Sequence, residues 1–265
     1  MRKRSTLTAA LAVAVAAAIT ASVALAGPVG SPVGAPDGNS QAVGAVIAPK
    51  KLGKKSFTPA SLEVTTALSN STVKDGVPIP TTDVLIDFDK NVKIFTKGVP
   101  TCSASTLQNV STEIALQKCG SAKIGSGSAT ALLRVGSNVY TVNQTVTAFN
   151  GTPEGGKPVV LLHTYGTTPI QTTLVLIGRV SNYNKEGYGP RLDVEVPLIA
   201  GGEGALTYFN AKIGKNYKYK GQPVSYISAK CPSSKKLKYR SVFTFHDGQT
   251  SDPTYQQSCT QNPKK

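Results

Sequence analysis

Alternating apolar and polar residues predict β strands along most of the chain after residue 57, and the pattern is clearest near residue 240. One face of that segment holds Leu237, Tyr239, Ser241, Phe243 and Phe245. The other face holds Lys238, Arg240, Val242, Thr244 and His246. Because successive side chains of a strand point to opposite sides of a sheet, we expect the first face to pack in the core and the second to contact water.

The same test predicts twelve strands, at residues 62–68, 83–88, 92–96, 129–135, 139–149, 159–165, 172–180, 191–196, 206–213, 216–220, 223–230 and 237–246. Turn sequences such as Asn150-Gly151 and Asp247-Gly248 separate them. In 159–165 both faces are largely apolar, which predicts a central strand. Many short strands joined by tight turns indicate a mainly β protein, an antiparallel β-sandwich or jelly-roll-like single domain.

Helical spacing occurs convincingly in one place, between Cys102 and Cys119. The apolar positions there are Leu107, Val110, Ile114 and Ala115. Their spacing of three and four residues predicts a short amphipathic helix, and we expect a disulfide between the two cysteines to clip it at both ends.

The first residues have the layout of a secretory signal peptide, with Arg2, Lys3 and Arg4 before an alanine- and valine-rich run and Ala24-Leu25-Ala26 at the expected cleavage point. A membrane anchor is the alternative, but the apolar run is short for a spanning helix. We therefore predict a signal peptide at 1–26, a flexible Gly/Pro/Lys-rich leader at 27–56 and the β domain at 57–265. The mature protein is expected to be secreted, without a transmembrane segment.

Four cysteines in a chain with an export signal predict two disulfides, because the compartment is oxidising and a metal site would need histidines that this chain hardly has. Three connectivities are possible. We favour sequential pairing, Cys102 with Cys119 and Cys231 with Cys259, and each bridge would close a loop worth about 3 to 4 kcal/mol in the chain-entropy model.

Catalysis has weak support in the sequence. The only histidines, His163 and His246, are explained more simply as a hydrogen-bonded core residue and as the end of a strand. Asp193 and Glu195 share a strand face, as a glycosidase pair could, but a solvated face is the simpler reading because the chain has no tryptophan platform. A secreted hydrolase acting on carbohydrate or ester, using Asp193, Glu195 and His163, is the alternative function.

No metal or cofactor site is predicted. Residues 87–91 resemble the start of a calcium loop, but Val92 stands where the loop needs glycine and Gly98 where it needs glutamate. The segment is therefore predicted to be a turn between two strands.

Charge is the strongest functional signal. The chain has a net charge of +15, and about +12 would remain after loss of residues 1–26. Between Glu203 and Asp247 there is no acidic residue, while nine basic ones occur: Lys212, Lys215, Lys218, Lys220, Lys230, Lys235, Lys236, Lys238 and Arg240. Such a run attracts polyanions at ordinary ionic strength. We predict adhesion to an anionic cell-wall polymer or phospholipid surface, with no specific nucleic-acid partner; oligomeric state is not predicted.

The chain resembles a group of secreted proteins of high-GC Gram-positive (actinobacterial) bacteria that have no assigned activity. The resemblance rests on segments at residues 50–59, 98–102, 119–129, 147–150, 188–197 and 219–221. It implies secretion and one domain. The sequence thus predicts a secreted, non-catalytic binding or structural protein of the cell envelope or its surroundings.

Overall fold

The computed structural model describes residues 29–169 and 171–262, and the predicted signal peptide lies outside them. The protein is mainly β, with 61% strand and 8% helix, which confirms the predicted fold class. In the described part of the chain, no helix has the length and apolar character needed to cross a membrane.

The strands, numbered along the chain, are β1 (Val33–Gly34), β2 (Asn39–Ala48), β3 (Lys51–Gly53), β4 (Thr58–Asn70), β5 (Thr81–Asp89), β6 (Val92–Ile94), β7 (Lys123–Val135), β8 (Asn138–Glu154), β9 (Lys157–Gly166), β10 (Thr172–Asn182), β11 (Tyr188–Glu195), β12 (Gly204–Ile213), β13 (Asn216–Tyr219), β14 (Gln222–Ser225), β15 (Ile227–Ala229), β16 (Lys236–Phe245), β17 (Thr250–Ser251), β18 (Thr254–Ser258) and β19 (Thr260–Asn262). The helices are α1 (Ala104–Leu107) and α2 (Thr112–Cys119), and 3₁₀ turns lie at Gly120–Ala122 and Ala200–Gly202.

The main sheet curls until it is nearly closed. Its strand order is β1-β2-β4-β12-β7-β8-β9-β10-β11-β5-β16-β17, and β18 pairs with β16. Side chains bridge the remaining gap: Ser251 of β17 donates to the Val33 carbonyl of β1 at 2.9 Å, and Gln257 of β18 bonds to Ile47 of β2. The Gln257 amide accepts a bond from the Ile47 N–H at 2.6 Å and donates one to the Ile47 carbonyl at 2.7 Å. Opposing walls of one antiparallel sheet therefore face a common interior, as in a sandwich.

Strand periodicity decides what fills that interior. In β16, Leu237, Tyr239, Ser241, Phe243 and Phe245 are all buried, as the alternation predicted. At one end of the interior the fully buried side chains are large: Leu52, Phe88, Tyr226, Ile227, Leu237 and Tyr239. Cys231 and Cys259, joined as predicted, belong to the same core. Beside them the terminal strand β19 pairs in parallel with β3.

The opposite end of the interior is crossed by residues 71–80, which join β4 to β5. Arg134 at the end of β7 holds this segment by an ion pair with Asp75 at 2.7 Å. Farther along, Ile79 exchanges two hydrogen bonds with the Asn39 side chain at the start of β2, at 2.9 and 3.1 Å. The segment is therefore fastened to β7 and to β2.

Both helices lie on the outer face of the sheet, over β8, β9 and β10. Leu107 and Ala115 pack against Phe149, Val159 and Leu161. The Cys102–Cys119 disulfide joins the start of this segment to the last residue of α2, so the predicted clipped helix is confirmed. A break near Asn109, whose φ is 56°, separates the single turn α1 from α2, and Ile114 is 40% exposed rather than packed.

The predicted central strand is confirmed, because β9 lies between β8 and β10 and residues 159–164 are buried on both faces. Two other predictions are corrected. Residues 27–56 are not all a flexible leader: within the described part, β2 pairs with β4 over its full length, and Val43, Ala45 and Ile47 are fully buried. The predicted strand 223–230 is two strands, β14 and β15, because fully buried Tyr226 turns into the core between them.

Candidate anion-binding surface

The nine basic residues predicted to form one patch lie in four groups. Lys212 and Lys215 are at the end of β12, and Lys218 and Lys220 are on the β13–β14 hairpin. Lys238 and Arg240 are on the outer face of β16, and Lys230, Lys235 and Lys236 flank the Cys231–Cys259 disulfide. Because β12 and β16 are separated by several strands in either direction around the sheet, the nine do not share one face.

The two lysines of the β12 group differ, because one makes hydrogen bonds within the fold and the other is exposed. Lys215 donates to the carbonyls of Ser121 at 2.6 Å and Lys123 at 3.0 Å, and burial lowers the pKa of its ammonium. Lys212 is exposed and stands opposite Glu63 of β4 in the register. Only Lys212 of this group is free to meet a large partner.

In the hairpin group, two tyrosines alternate with the lysines along the chain. Tyr217 donates its hydroxyl to the carbonyls of Phe95 and Lys97, both at 2.9 Å, and the Tyr219 ring packs edge-on against Phe95 at 5.6 Å. Lys218 and Lys220 are exposed. The tyrosines therefore attach the hairpin, and the Lys220 ammonium group lies over the Tyr219 ring at 5.7 Å.

The β16 group is largely neutralised. Asp87 of β5, 2% exposed, accepts two bonds from Arg191 at 2.6 and 2.9 Å and two from Arg240 at 3.1 and 2.7 Å. Burial alone would raise the pKa of Asp87, but the two guanidinium groups outweigh it and hold the pKa below its ordinary value. Lys238 donates to the Glu186 carbonyl, and Arg240 also pairs with the Glu186 carboxylate at 2.8 Å.

The aromatic rings beside this group shield it further. The Arg191 guanidinium lies 4.1 Å from the centre of the Tyr183 ring. Lys238 and Arg240 lie over the Tyr188 ring at 4.5 and 4.9 Å. The arrangement is a structural clasp joining β5, β11 and β16, and it leaves little unbalanced charge for a ligand.

The fourth group, Lys230, Lys235 and Lys236, belongs to a larger basic surface, here called the basic end, which consists of Lys50, Lys51, Lys54, Lys55, Phe57, Lys93, Lys230, Lys235 and Lys236. Hydrogen bonds bring these segments together, from Thr260 to the Lys50 carbonyl at 2.8 Å, from Cys259 to the Lys235 carbonyl at 2.9 Å and from Cys231 to the Gly53 carbonyl at 2.9 Å. The Cys231–Cys259 disulfide ties two of those segments covalently.

Phe57 is the centre of the basic end. It is 40% exposed, and the ammonium groups of Lys93 and Lys230 lie 5.5 and 5.3 Å from the centre of its ring. Lys93 is on β6, and Lys230 directly follows β15, the strand that pairs with β6. Lys54 and Lys55 precede it in an exposed turn. Sequence reasoning missed Lys93 and Phe57 because they are distant in the chain from Lys230. The signal in the sequence that could have pointed to the basic end is the run Lys50-Lys51-Leu52-Gly53-Lys54-Lys55.

No lysine in the described part of the chain forms an ion pair. The ion pairs there are all made by Arg134, Arg179, Arg191 and Arg240. The planar guanidinium group suits two-point bonding to carboxylates, so arginine rather than lysine makes the ion pairs in this part of the chain. The positive charge of the basic end is left without acidic partners.

The candidates for hydrolysis are not brought together. His163 is fully buried beneath the helices, with Nε2 3.0 Å from the Val110 carbonyl. Burial lowers the pKa of His163, and the bond to Val110 opposes that effect. Asp193 and Glu195 lie two strands away on β11, where Glu195 pairs with Arg179 at 3.4 Å. His246, exposed at the end of β16, fits the predicted strand end.

Asp193 instead has a carboxyl neighbour on β5. Asp83 stands opposite Glu195 in the register and shares a hydrogen bond with Asp193. Burial, followed by the charges of Asp193 and Glu195, raises the pKa of Asp83 to about 6. This cluster lies on the outer face of the sheet. A search of the described residues finds no group of three or more His, Cys, Asp or Glu side chains arranged to hold a metal ion.

The predicted turn at residues 87–91 is shorter than expected, because β5 continues through Asp89 and only Lys90 and Asn91 turn before β6. Asp89 accepts bonds from the backbone and side chain of Asn91 at 2.9 and 2.7 Å and from the backbone N–H of Lys238 at 3.1 Å. Its carboxylate oxygens are therefore used by the turn and by β16.

Comparison of the chain with protein-family models, with curated proteins and with solved structures finds no match. The resemblance to actinobacterial secreted proteins stays a prediction, and function has to be argued from the geometry.

Proposed function

We propose that this is a secreted, non-catalytic binding protein of the cell envelope or its surroundings, and that it adheres to an anionic cell-wall polymer through the basic end. The observation that carries the proposal is the absence of any lysine ion pair in residues 29–169 and 171–262. Lysines without acidic partners keep their full attraction for an external polyanion.

The basic end also has the rigidity that a binding surface needs. Lys93 is on β6, which pairs with β15, and Lys230 lies between the end of β15 and Cys231 of the disulfide. An ordered surface loses less conformational entropy on binding than a flexible tail does. The two disulfides agree with an oxidising, extracytoplasmic location.

Phe57 gives the surface a second contribution. Its exposed ring offers an apolar contact between charges, and the flanking ammonium groups already lie within cation–π distance of it. A repeating anionic polymer with apolar stretches between its charges, such as an alkylated or acylated wall polymer, would contact both features together.

The test compares two fourfold variants with the same change in net charge. One replaces Lys54, Lys55, Lys93 and Lys230 by glutamine, and the control replaces the exposed lysines Lys74, Lys118, Lys157 and Lys185, which lie outside the basic end. We expect the parent and the control to elute from immobilised anionic wall polymer at similar salt concentrations and the basic-end variant to elute much earlier. Co-elution of the two variants would refute the basic end as the binding surface.

Binding to vesicles distinguishes a wall polymer from a membrane as the partner of the basic end. Retention on phosphatidylglycerol vesicles but not on the polymer would contradict the proposal in favour of a lipid surface. Retention on the polymer that survives when vesicles compete supports it.

A further inference from the structure

The nearly closed sheet encloses an apolar cavity of about 80 Å³. Eight strands contribute to its wall: β2, β4, β5, β9, β10, β11, β12 and β16. The apolar lining residues include Val64, Ile86, Leu162, Leu192, Val194 and Phe209. Protein interiors are close-packed and rarely leave voids larger than a water molecule, so a cavity of this size is a feature to explain.

The cavity has a closed end and a polar end. Towards the basic end the interior is filled by Phe88, Tyr226 and Tyr239, which are fully buried. Towards the segment 71–80 the lining includes Gln41 and Thr81, at the starts of β2 and β5. A molecule with an apolar body and a polar tip would match this gradient from closed apolar end to polar end.

Small side chains on one wall help to keep the space open. Ala211 of β12 lines the cavity and is 2% exposed. Its neighbour β7 cannot carry a larger residue at Gly127, because a Cβ there would meet the Asn210 carbonyl oxygen. Leu206 and Phe209 line the same wall and are only half-buried. The large residues of this wall are therefore not packed to interior density.

We propose that this cavity binds a slender apolar ligand, the hydrocarbon chain of a small amphiphile whose polar tip lies near Gln41 and Thr81. An apolar cavity of about 150 Å³ takes up benzene, so roughly half that volume suits a short hydrocarbon chain of a few carbon atoms. The lining holds no charged residue, which favours a neutral molecule over an anion. The inference is independent of the basic end.

The experiment titrates the intact protein with straight-chain primary alcohols from propanol to octanol while methyl NMR signals are followed. We expect saturable shifts at the methyl groups of Leu162, Val194 and Ala211. Affinity should rise about fourfold for each added methylene. The rise should stop once the chain outgrows the cavity.

Two variants that fill the cavity with larger side chains, here called the filled variants, test whether the alcohols bind inside it. Ala211→Leu and Val194→Ile add methyl or methylene groups inside the cavity, and each should weaken alcohol binding at least tenfold while keeping the spectrum of a folded protein. Val242→Leu, on the outer face of β16 beside the lining residue Phe243, is the matched control and should bind as the parent does. Alcohol shifts that never saturate, or that are the same in the parent and in whichever filled variant folds, would overturn the proposal.

Discussion

At the scale of single residues, one glutamine completes the sheet. Gln257 reaches from β18 to β2 and satisfies both the N–H and the carbonyl of Ile47, where a paired strand would otherwise be needed. Gln257 is 5% exposed and Ile47 is fully buried, so water cannot replace these bonds. The neighbouring Gln256 is exposed and makes no equivalent contact.

We expect Gln257→Ala to destabilise the protein by about 2 to 4 kcal/mol, because it leaves a buried donor and a buried acceptor unsatisfied. Gln256→Ala is the control and should change stability by less than about 0.5 kcal/mol. Urea unfolding followed by circular dichroism measures both. Equal midpoints for the two variants would show that the bridge contributes nothing.

Asp83 gives stability a pH dependence of a defined sign. Its pKa is raised to about 6 in the folded protein, so between roughly pH 4 and pH 6 the folded state holds a proton that the unfolded chain has released. Stability due to this residue therefore falls as pH rises through that window and is constant above it.

The substitution Asp83→Asn removes the loss of stability that occurs as the pH rises. The variant should be more stable than the parent by on the order of 1 kcal/mol at pH 7.5, a value reduced for solvent screening, and the difference should vanish near pH 4. Asp252→Asn makes the same charge change at an exposed position and controls for net charge. Thermal unfolding across pH 4 to 8 measures the difference, and a gain that is independent of pH would contradict the assignment.

At the scale of elements, the sequence predicted strands well where side chains alternate strongly in size and polarity, as in β16 and β9. β2 was missed because its buried residues are small: Val43, Gly44 and Ala45 resemble a linker in composition. A strand paired on one side by β4, and bonded on the other by β1 and Gln257, needs little bulk, since its neighbours supply the packing. Composition alone therefore underestimates such a strand.

Removal of β2 should accordingly unfold the protein. Deleting residues 29–48 exposes the edge of β4 and removes three fully buried side chains, Val43, Ala45 and Ile47, from the core. We expect loss of the cooperative thermal transition, whereas a flexible leader could be removed with no effect. Limited proteolysis provides an independent measurement. A deletion variant that melts at the temperature of the parent would restore the linker interpretation.

At the scale of the whole molecule, the sequence predicted where positive charge occurs along the chain but not which charges share a surface. The run from Lys212 to Arg240 is continuous in the chain, yet the fold sends its members to four places, and acids that lie far away in sequence, Asp87 and Glu186, neutralise Arg240. The basic end draws instead on residues 50–57, 93 and 230–236. Such a surface depends on strand order, which periodicity does not specify.

The bridge between Ile47 and Gln257 also determines when the protein can finish folding. The two residues are 210 positions apart, and β3 likewise pairs with a strand, β19, that comes much later in the chain. Synthesis proceeds from the N-terminus, so almost the entire sheet exists before the strands that close it have been made. Contacts of such long sequence separation form slowly, and the unfinished sheet meanwhile exposes its apolar inner face. We therefore expect the pairing of β18 and β19 with the early strands to be the step that ends this exposure.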